Sequence, residues 1–139
     1  MTAFVDTGVL FARAHSRDGN HAKATQILDG IGPAGVFTSD LVVAECWGLL
    51  LRKVGWQAAM RFWKGLRMAP LQVEFAIQAD LERAEAIADA WVDQRFSIVD
   101  CSSFAVMERL GCSRAASFDA DFAVYRYGPD RTRAFEILR

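Results

Sequence analysis

The chain has 139 residues, 53% hydrophobic and 24% charged, a mix that suits one globular domain and excludes intrinsic disorder. Its 16 Lys and Arg nearly balance 17 Asp and Glu, so the net charge of -1 raises no overall basic field to advertise nucleic acid. No uncharged apolar run approaches the roughly 18 residues of a membrane span, and the first residues lack a basic region leading into an apolar core, so a soluble cytoplasmic protein is expected.

Ala3-Phe4-Val5 is a short apolar run ending at Asp6 and reads as a buried strand, after which Gly8 to Ala12 turns into a short helix. Asp18-Gly19-Asn20 is a turn cluster, with Asn20 placed to cap a helix from His21 to Leu28. Gly30-Ile31-Gly32-Pro33 breaks the chain before a second short strand around Val36-Phe37. Thr38-Ser39-Asp40 supplies N-cap chemistry for a helix from Leu41 to Lys53, and a further helix spans Trp56 to Leu66. Leu71 to Phe75 alternates like a strand, and the spacing of Leu81, Ala84, Ile87, Ala88 and Trp91 predicts a helix over Gln78 to Gln94. Phe96 to Val99 reads as an extended approach to Asp100, with a helix following to Leu110. Ala115 to Phe118 reads as a strand ending at Asp119, and Phe135 to Leu138 as the last strand.

No linker, low-complexity segment or repeat divides the chain, so a single domain over residues 1–139 is expected. Strands alternating with helices predict an α/β fold whose mostly parallel sheet is covered on both faces. Cys46, Cys101 and Cys112 form neither a disulfide framework nor a zinc motif, and they read as small core residues in a reducing compartment.

Most carboxylates have an ordinary explanation. Glu82, Glu85, Asp89 and Asp93 form the solvated stripe of an amphipathic helix. Five others sit where stability alone gives no reason for charge: Asp6 after an apolar strand, Glu45 inside Leu41-Val42-Val43-Ala44-Glu45-Cys46-Trp47, Asp100 at a helix start, and Asp119 and Asp121 after a strand. Buried unpaired carboxylates cost several kcal/mol and normally have a partner or a metal. In a parallel sheet the carboxyl ends of the strands share one edge, where ligands bind. A set of oxygen donors with no Cys/His cluster beside it suits Mg²⁺ or Mn²⁺ rather than zinc. Such ions activate water and clamp a scissile phosphodiester.

With these motifs in place, the chain resembles the PIN-domain ribonucleases, most closely the VapC-type toxins of type II toxin–antitoxin pairs. The resemblance runs through Val5-Asp6-Thr7, Ser39-Asp40-Leu41-Val42-Val43-Ala44-Glu45, Ile98 to Met107 and Ser117-Phe118-Asp119-Ala120-Asp121-Phe122. It implies a PIN-like three-layer α/β/α sandwich and Mg²⁺-dependent endoribonuclease activity, with Mn²⁺ as a substitute. On matching positions it assigns catalysis and metal binding to Asp6, Glu45, Asp100 and Asp119, with Asp121 as a fifth ligand. Thr7 and Ser103 match small hydroxyl positions expected to hydrogen-bond the carboxylates or a bound water. Asp6 and Asp100 are expected to anchor the principal ion, and Glu45 and Asp119 to orient the attacking water. The resemblance further implies an RNA substrate, a cognate VapB-type antitoxin that blocks the pocket, and a homodimer.

Competing readings fare worse. Phe4-Val5-Asp6-Thr7-Gly8 imitates an aspartic-protease triplet, but those enzymes are nearly all β and need two triplets. A receiver-type phosphoacceptor would pair acids at the first strand and place a lysine after a late one, and no lysine follows Lys64. A PIN-fold RNA-processing nuclease without antitoxin and a non-cleaving PIN-fold binding module stand as the alternatives. His21 reads as a packing or capping residue. Trp47, Trp56, Trp63 and Trp91 lie in helical patterns that favour packing over base stacking, and the basic residues between Arg13 and Arg67 read mostly as solvated surface.

Overall fold

The computed structural model describes residues 2–32 and 35–139. Five strands, β1 (Ala3–Val5), β2 (Val36–Ser39), β3 (Gln72–Glu74), β4 (Arg114–Ala116) and β5 (Glu136–Leu138), form one sheet in the order β3-β2-β1-β4-β5. Every pairing is parallel, so the sheet is wholly parallel rather than mostly so; Phe4 pairs with Phe37 on one side and Ala115 on the other. The helices are α1 (Thr7–Ala14), α2 (His21–Ile31), α3 (Asp40–Lys53), α4 (Trp56–Gly65), α5 (Gln78–Ala90), α6 (Ile98–Leu110) and α7 (Asp121–Val124).

The strand order explains the layers. From β1 the chain steps one way to β2 and β3, then jumps across the sheet to β4 and steps the other way to β5. Right-handed crossovers therefore put α1–α4 on one face and α5–α7 on the other. The helix packing agrees: α1 meets α2 and α3, α3 meets α4, α5 lies along α6, and α6 meets α7. The reversal falls between β1 and β4, so their carboxyl ends open a crevice that neither crossover covers.

β1 is the middle strand, and Ala3, Phe4 and Val5 are fully buried. Phe4 meets Phe37 edge-on at 5.5 Å, while on the α6 face Phe104 stacks on Tyr125 at 4.3 Å and meets Phe122 at 4.9 Å. This aromatic layer ties α6 to α7 and, through Phe4 and Phe122 at 6.4 Å, to β1.

Several local expectations are corrected. Phe96 to Val99 is not an extended approach: Ser97 caps α6, its hydroxyl accepting the Asp100 amide at 3.0 Å, and the helix already runs at Ile98. The N-cap hydroxyl wins over the β-branched run because it satisfies an otherwise orphaned helix donor. β4 ends at Ala116, since the Ser117 side chain turns the chain by accepting the Asp119 amide at 3.0 Å. β2 extends through Ser39 and α2 through Ile31, where Gly32 at φ 87° ends it; Pro33 lies outside the described residues. Asn20 occupies the N-cap of α2 without a side-chain cap, its own amide donating to Asp18 Oδ1 at 2.8 Å. The four-residue α7 had no sequence signal of its own. No helix among the described residues is long and apolar enough to cross a membrane.

Candidate metal centre

β1 delivers Asp6 to the crevice, β4 delivers Ser117 and the Asp119 turn, and the first turn of α6 delivers Asp100. One carboxylate oxygen each from Asp6, Asp100 and Asp119 lies within 4.8 Å of the other two. Asp6 and Asp100 are only 4% and 6% exposed, whereas Asp119 stands at the more open rim.

Asp6 occupies the N-cap position of α1, yet its side chain makes no cap hydrogen bond. Oδ2 instead accepts the Ser117 hydroxyl at 3.0 Å. Burial pushes the Asp6 carboxyl up to about 6, against the hydrogen bonds from the Thr7 amide and Ser117, and Asp119 and Glu45 push it further. Asp100 is pushed up to about 8, first by burial and then by the charges of Asp6 and Asp119 and by its contact with Asp121. Asp121, the first residue of α7, is raised as well, chiefly by burial and by Asp119. Asp121 adjoins Asp100 and adds its charge to the repulsion there. The Asp119 carboxylate accepts the Asp121 amide at 2.9 Å, which fixes the turn joining the two acids.

Asp80 shows what a structural buried carboxylate looks like in the same molecule. It is 2% exposed, takes both Nε and Nη2 of Arg109 at 2.9 and 3.0 Å, and accepts the Ile77 amide at 2.9 Å. Its carboxyl is held below the ordinary range by Arg109 and the amide despite burial. Asp6, Asp100 and Asp119 have no such cation: the ion pairs among the described residues are Arg83–Glu108, Arg109–Asp80 and Arg114–Glu136. A cluster of buried like charges with no counter-charge is the arrangement that a hard divalent cation stabilises.

The thiols near the site do not compete as ligands. Burial, then the charges of Glu45 and Asp6, pushes Cys46 up to about 12, and burial with Asp100 and Asp121 pushes Cys101 up to about 11. Neither thiol belongs to the mutually approaching donors, which among the described residues are all oxygen.

The other expected residues are placed unevenly. Glu45 lies on α3, half-buried and outside the three-acid set, yet near enough to Asp6 to raise its carboxyl. No ion pair joins Glu45 to Arg52 or Lys53 among the described residues. Thr7 Oγ1 is buried beside Asp6 without any protein partner, an orphan that a ligand or water in the crevice would satisfy. Ser103 departs from expectation, because its hydroxyl donates to the Val99 carbonyl one turn back at 2.8 Å and not to a carboxylate. In a helix interior that carbonyl is the nearest acceptor for a serine. Sequence reasoning missed Ser117 and Asp80. For Asp80 the signal was present: an acid at the third position of a helix, which reaches back to the cap amide.

Residues 3–126 match the PIN domain family. The chain is 34% identical over 124 residues to the 23S rRNA-specific endonuclease VapC20 of Mycobacterium tuberculosis, covering 86% of this chain and 91% of that protein. The crystal structure of VapC20, described as a sarcin–ricin loop cleaving toxin, superposes with a TM-score of 0.82 at 32% identity, covering 88% of this chain and 94% of the other. A toxin–antitoxin complex from Klebsiella pneumoniae shares the fold, with a TM-score of 0.68 at 18% identity over 88% of this chain and 91% of the other.

Proposed function

Because the chain belongs to the PIN-domain family and is a homologue of a VapC toxin, we propose that it is a divalent-metal-dependent endoribonuclease, the toxin of a toxin–antitoxin pair, acting on ribosomal RNA. The observation that carries this reading is the uncompensated trio Asp6, Asp100 and Asp119, with mutually approaching carboxylate oxygens in the crevice beside β1 and β4.

Asp6 and Asp100 would hold Mg²⁺, or Mn²⁺ in its place, with Asp119 closing the set and Asp121 as a fifth ligand. A divalent cation there supplies Lewis-acid charge that lowers the pKa of water and neutralises phosphate oxygens. The residues do the positioning. Ser117 fixes the Asp6 carboxylate by donating to Oδ2, and the Asp119 turn fixes Asp121. Glu45, in no ion pair among the described residues and near enough to Asp6 to raise its carboxyl, would orient a water for in-line attack and accept its proton. Attack by water leaves 5′-phosphate and 3′-hydroxyl ends and does not involve the ribose 2′-hydroxyl, so preference for RNA comes from binding.

The antitoxin reading draws support from the surface. An apolar groove of about 660 Å³ runs between α1, α2 and α4, lined by Leu10, Leu28, Phe62, Leu66 and Leu71 with Arg13 and Arg61 at its margin. Such a groove takes the apolar face of a partner helix. A homodimer and a cytoplasmic location complete the proposal.

The test incubates antitoxin-free protein with intact ribosomes, 23S rRNA and a sarcin–ricin loop oligonucleotide, in Mg²⁺, Mn²⁺ or EDTA, beside Asp100→Asn. Discrete cleavage lost in both EDTA and the variant is the expected result. Cleavage that survives either one overturns the metal assignment, and metal binding without cleavage of any RNA favours the non-cleaving module.

A further inference from the structure

We propose that the outer face of α4, with the flank of α3 against it, is a platform for single-stranded RNA that leads into the acidic centre; it rests on the nuclease reading above. Trp56 and Trp63 are 61% and 45% exposed, although a tryptophan left in water forgoes a large burial gain. Trp47 meets Trp56 edge-on at 6.0 Å, and Ala44, Trp47, Met60 and Trp63 line a shallow hollow of about 360 Å³ between the two helices. Trp56, Met60 and Trp63 recur at helical spacing on one face of α4, roughly 10 Å from first to last. Phe62 and Leu66 of the same segment turn instead into the groove against α1 and α2, so the two surfaces are separate.

Charge decides the occupant. Residues 46–73 contain five basic residues, Arg52, Lys53, Arg61, Lys64 and Arg67, and no Asp or Glu. All five are exposed and none is in an ion pair among the described residues; Arg61 borders the groove and Lys53 lies 5.9 Å over the Phe11 ring of α1, which leaves Arg52, Lys64 and Arg67 for the platform. The near-zero net charge of the whole chain therefore hides a segment with a one-sided positive field. Aromatic residues, methionine and arginine are common at protein interfaces too, but lysine is depleted there, and Lys64 directly follows Trp63. Single-stranded RNA satisfies both features, since every base offers a π-face to stack on an aromatic ring and every link carries a phosphate.

The hollow reaches the half of α3 that carries Glu45: Trp63 and Ala44 line it together, and Ala44 immediately precedes Glu45.

The test measures fluorescence anisotropy of a short fluorescein-labelled single-stranded RNA in EDTA, where cleavage is off, with the full chain and Trp56→Ala, Trp63→Ala, Trp63→Phe and Lys64→Glu. Each alanine variant is expected to bind roughly tenfold more weakly, with Trp63→Phe close to wild type. Lys64→Glu is expected to flatten the salt dependence, by about 0.7 in the log–log slope for each phosphate that the protein no longer neutralises. In Mg²⁺ the alanine variants are expected to raise KM and keep kcat. Wild-type affinity in the alanine variants, or no RNA binding by the wild type, overturns the platform. So does a fall in sedimentation mass with RNA binding unchanged, which would make the face a protein interface. Binding that responds to the tryptophans without metal-dependent cleavage would leave the platform standing and sink the nuclease reading; the reverse pattern does the opposite.

Discussion

The Ser117 hydroxyl at the end of β4 donates to Asp6 Oδ2 at the end of β1, 3.0 Å across neighbouring parallel strands. Ser117 Oγ in turn accepts the Asp119 amide at 3.0 Å, so one small side chain holds the Asp6 carboxylate and the backbone that carries Asp119. Ser117→Ala is therefore expected to cost about 1–3 kcal/mol in thermal unfolding, the penalty for an orphaned buried acceptor. It is also expected to weaken Mn²⁺ binding about 10- to 100-fold by calorimetry, as removal of a group that orients a ligand does. A variant that melts normally and binds Mn²⁺ like the wild type would remove Ser117 from the site.

Asp80 and Asp100 occupy the same third position of their helices and should respond oppositely to amidation. Asp80 is compensated by Arg109 and the Ile77 amide. Asp80→Asn should lower stability by about 2 kcal/mol, the range for hydrogen bonds to charged groups. Asp100 faces only like charge, so Asp100→Asn in EDTA at pH 8 is expected to raise stability by about 1 kcal/mol while abolishing the stabilisation that Mg²⁺ confers. Paired thermal melts with and without Mg²⁺ decide it; equal destabilisation by the two variants would make Asp100 a structural residue.

The pH dependence has a definite sign. Asp6 and Asp100 are raised from the ordinary carboxylate value to about 6 and about 8, so between about 4 and 8 the folded state holds more protons than the unfolded chain. The stability that these two acids contribute to the metal-free protein is then fully present below about 4 and is lost as pH rises through 6 and 8. Melting temperature in EDTA is expected to fall from pH 5 to pH 8, and Mg²⁺ to restore more of it at pH 8 than at pH 5, because the cation requires deprotonated ligands. A melting temperature in EDTA that rises across that range would contradict the shifts.

Glu45 stands apart from the trio, so its removal should separate binding from turnover. Glu45→Gln is expected to keep Mn²⁺ affinity within about threefold while lowering the cleavage rate about 10²- to 10⁴-fold, the usual worth of a positioned proton acceptor. A fall in metal affinity on the scale of Asp100→Asn would instead make Glu45 a ligand.

Much of this was legible in the sequence because charge in apolar surroundings stands out. Asp6 after Ala3-Phe4-Val5 and Asp119 after Ala115 to Phe118 could be assigned to one sheet edge from strand direction, and Asp100 to the same edge from its place at a helix N-terminus. What escaped is the chemistry of short side chains whose role depends on geometry. Ser103 and Ser117 look alike in sequence, yet the helix interior turns Ser103 onto Val99 while the strand end turns Ser117 onto Asp6. The start of α6 was misplaced because the β-branched pair Ile98-Val99 reads as strand until the Ser97 cap is recognised. That Trp56 and Trp63 face solvent was equally hidden, since helical spacing says that residues share a face but not what covers it.

The sheet order has a consequence for synthesis. β1 leaves the ribosome well before β4, the partner strand that completes its site, which follows more than a hundred residues later. Asp6 waits first for Asp100 and then for Asp119, and no fragment that stops short of Asp119 can assemble the three acids. A nuclease with a relative that cuts ribosomal RNA thus lacks its acidic centre through most of its own synthesis.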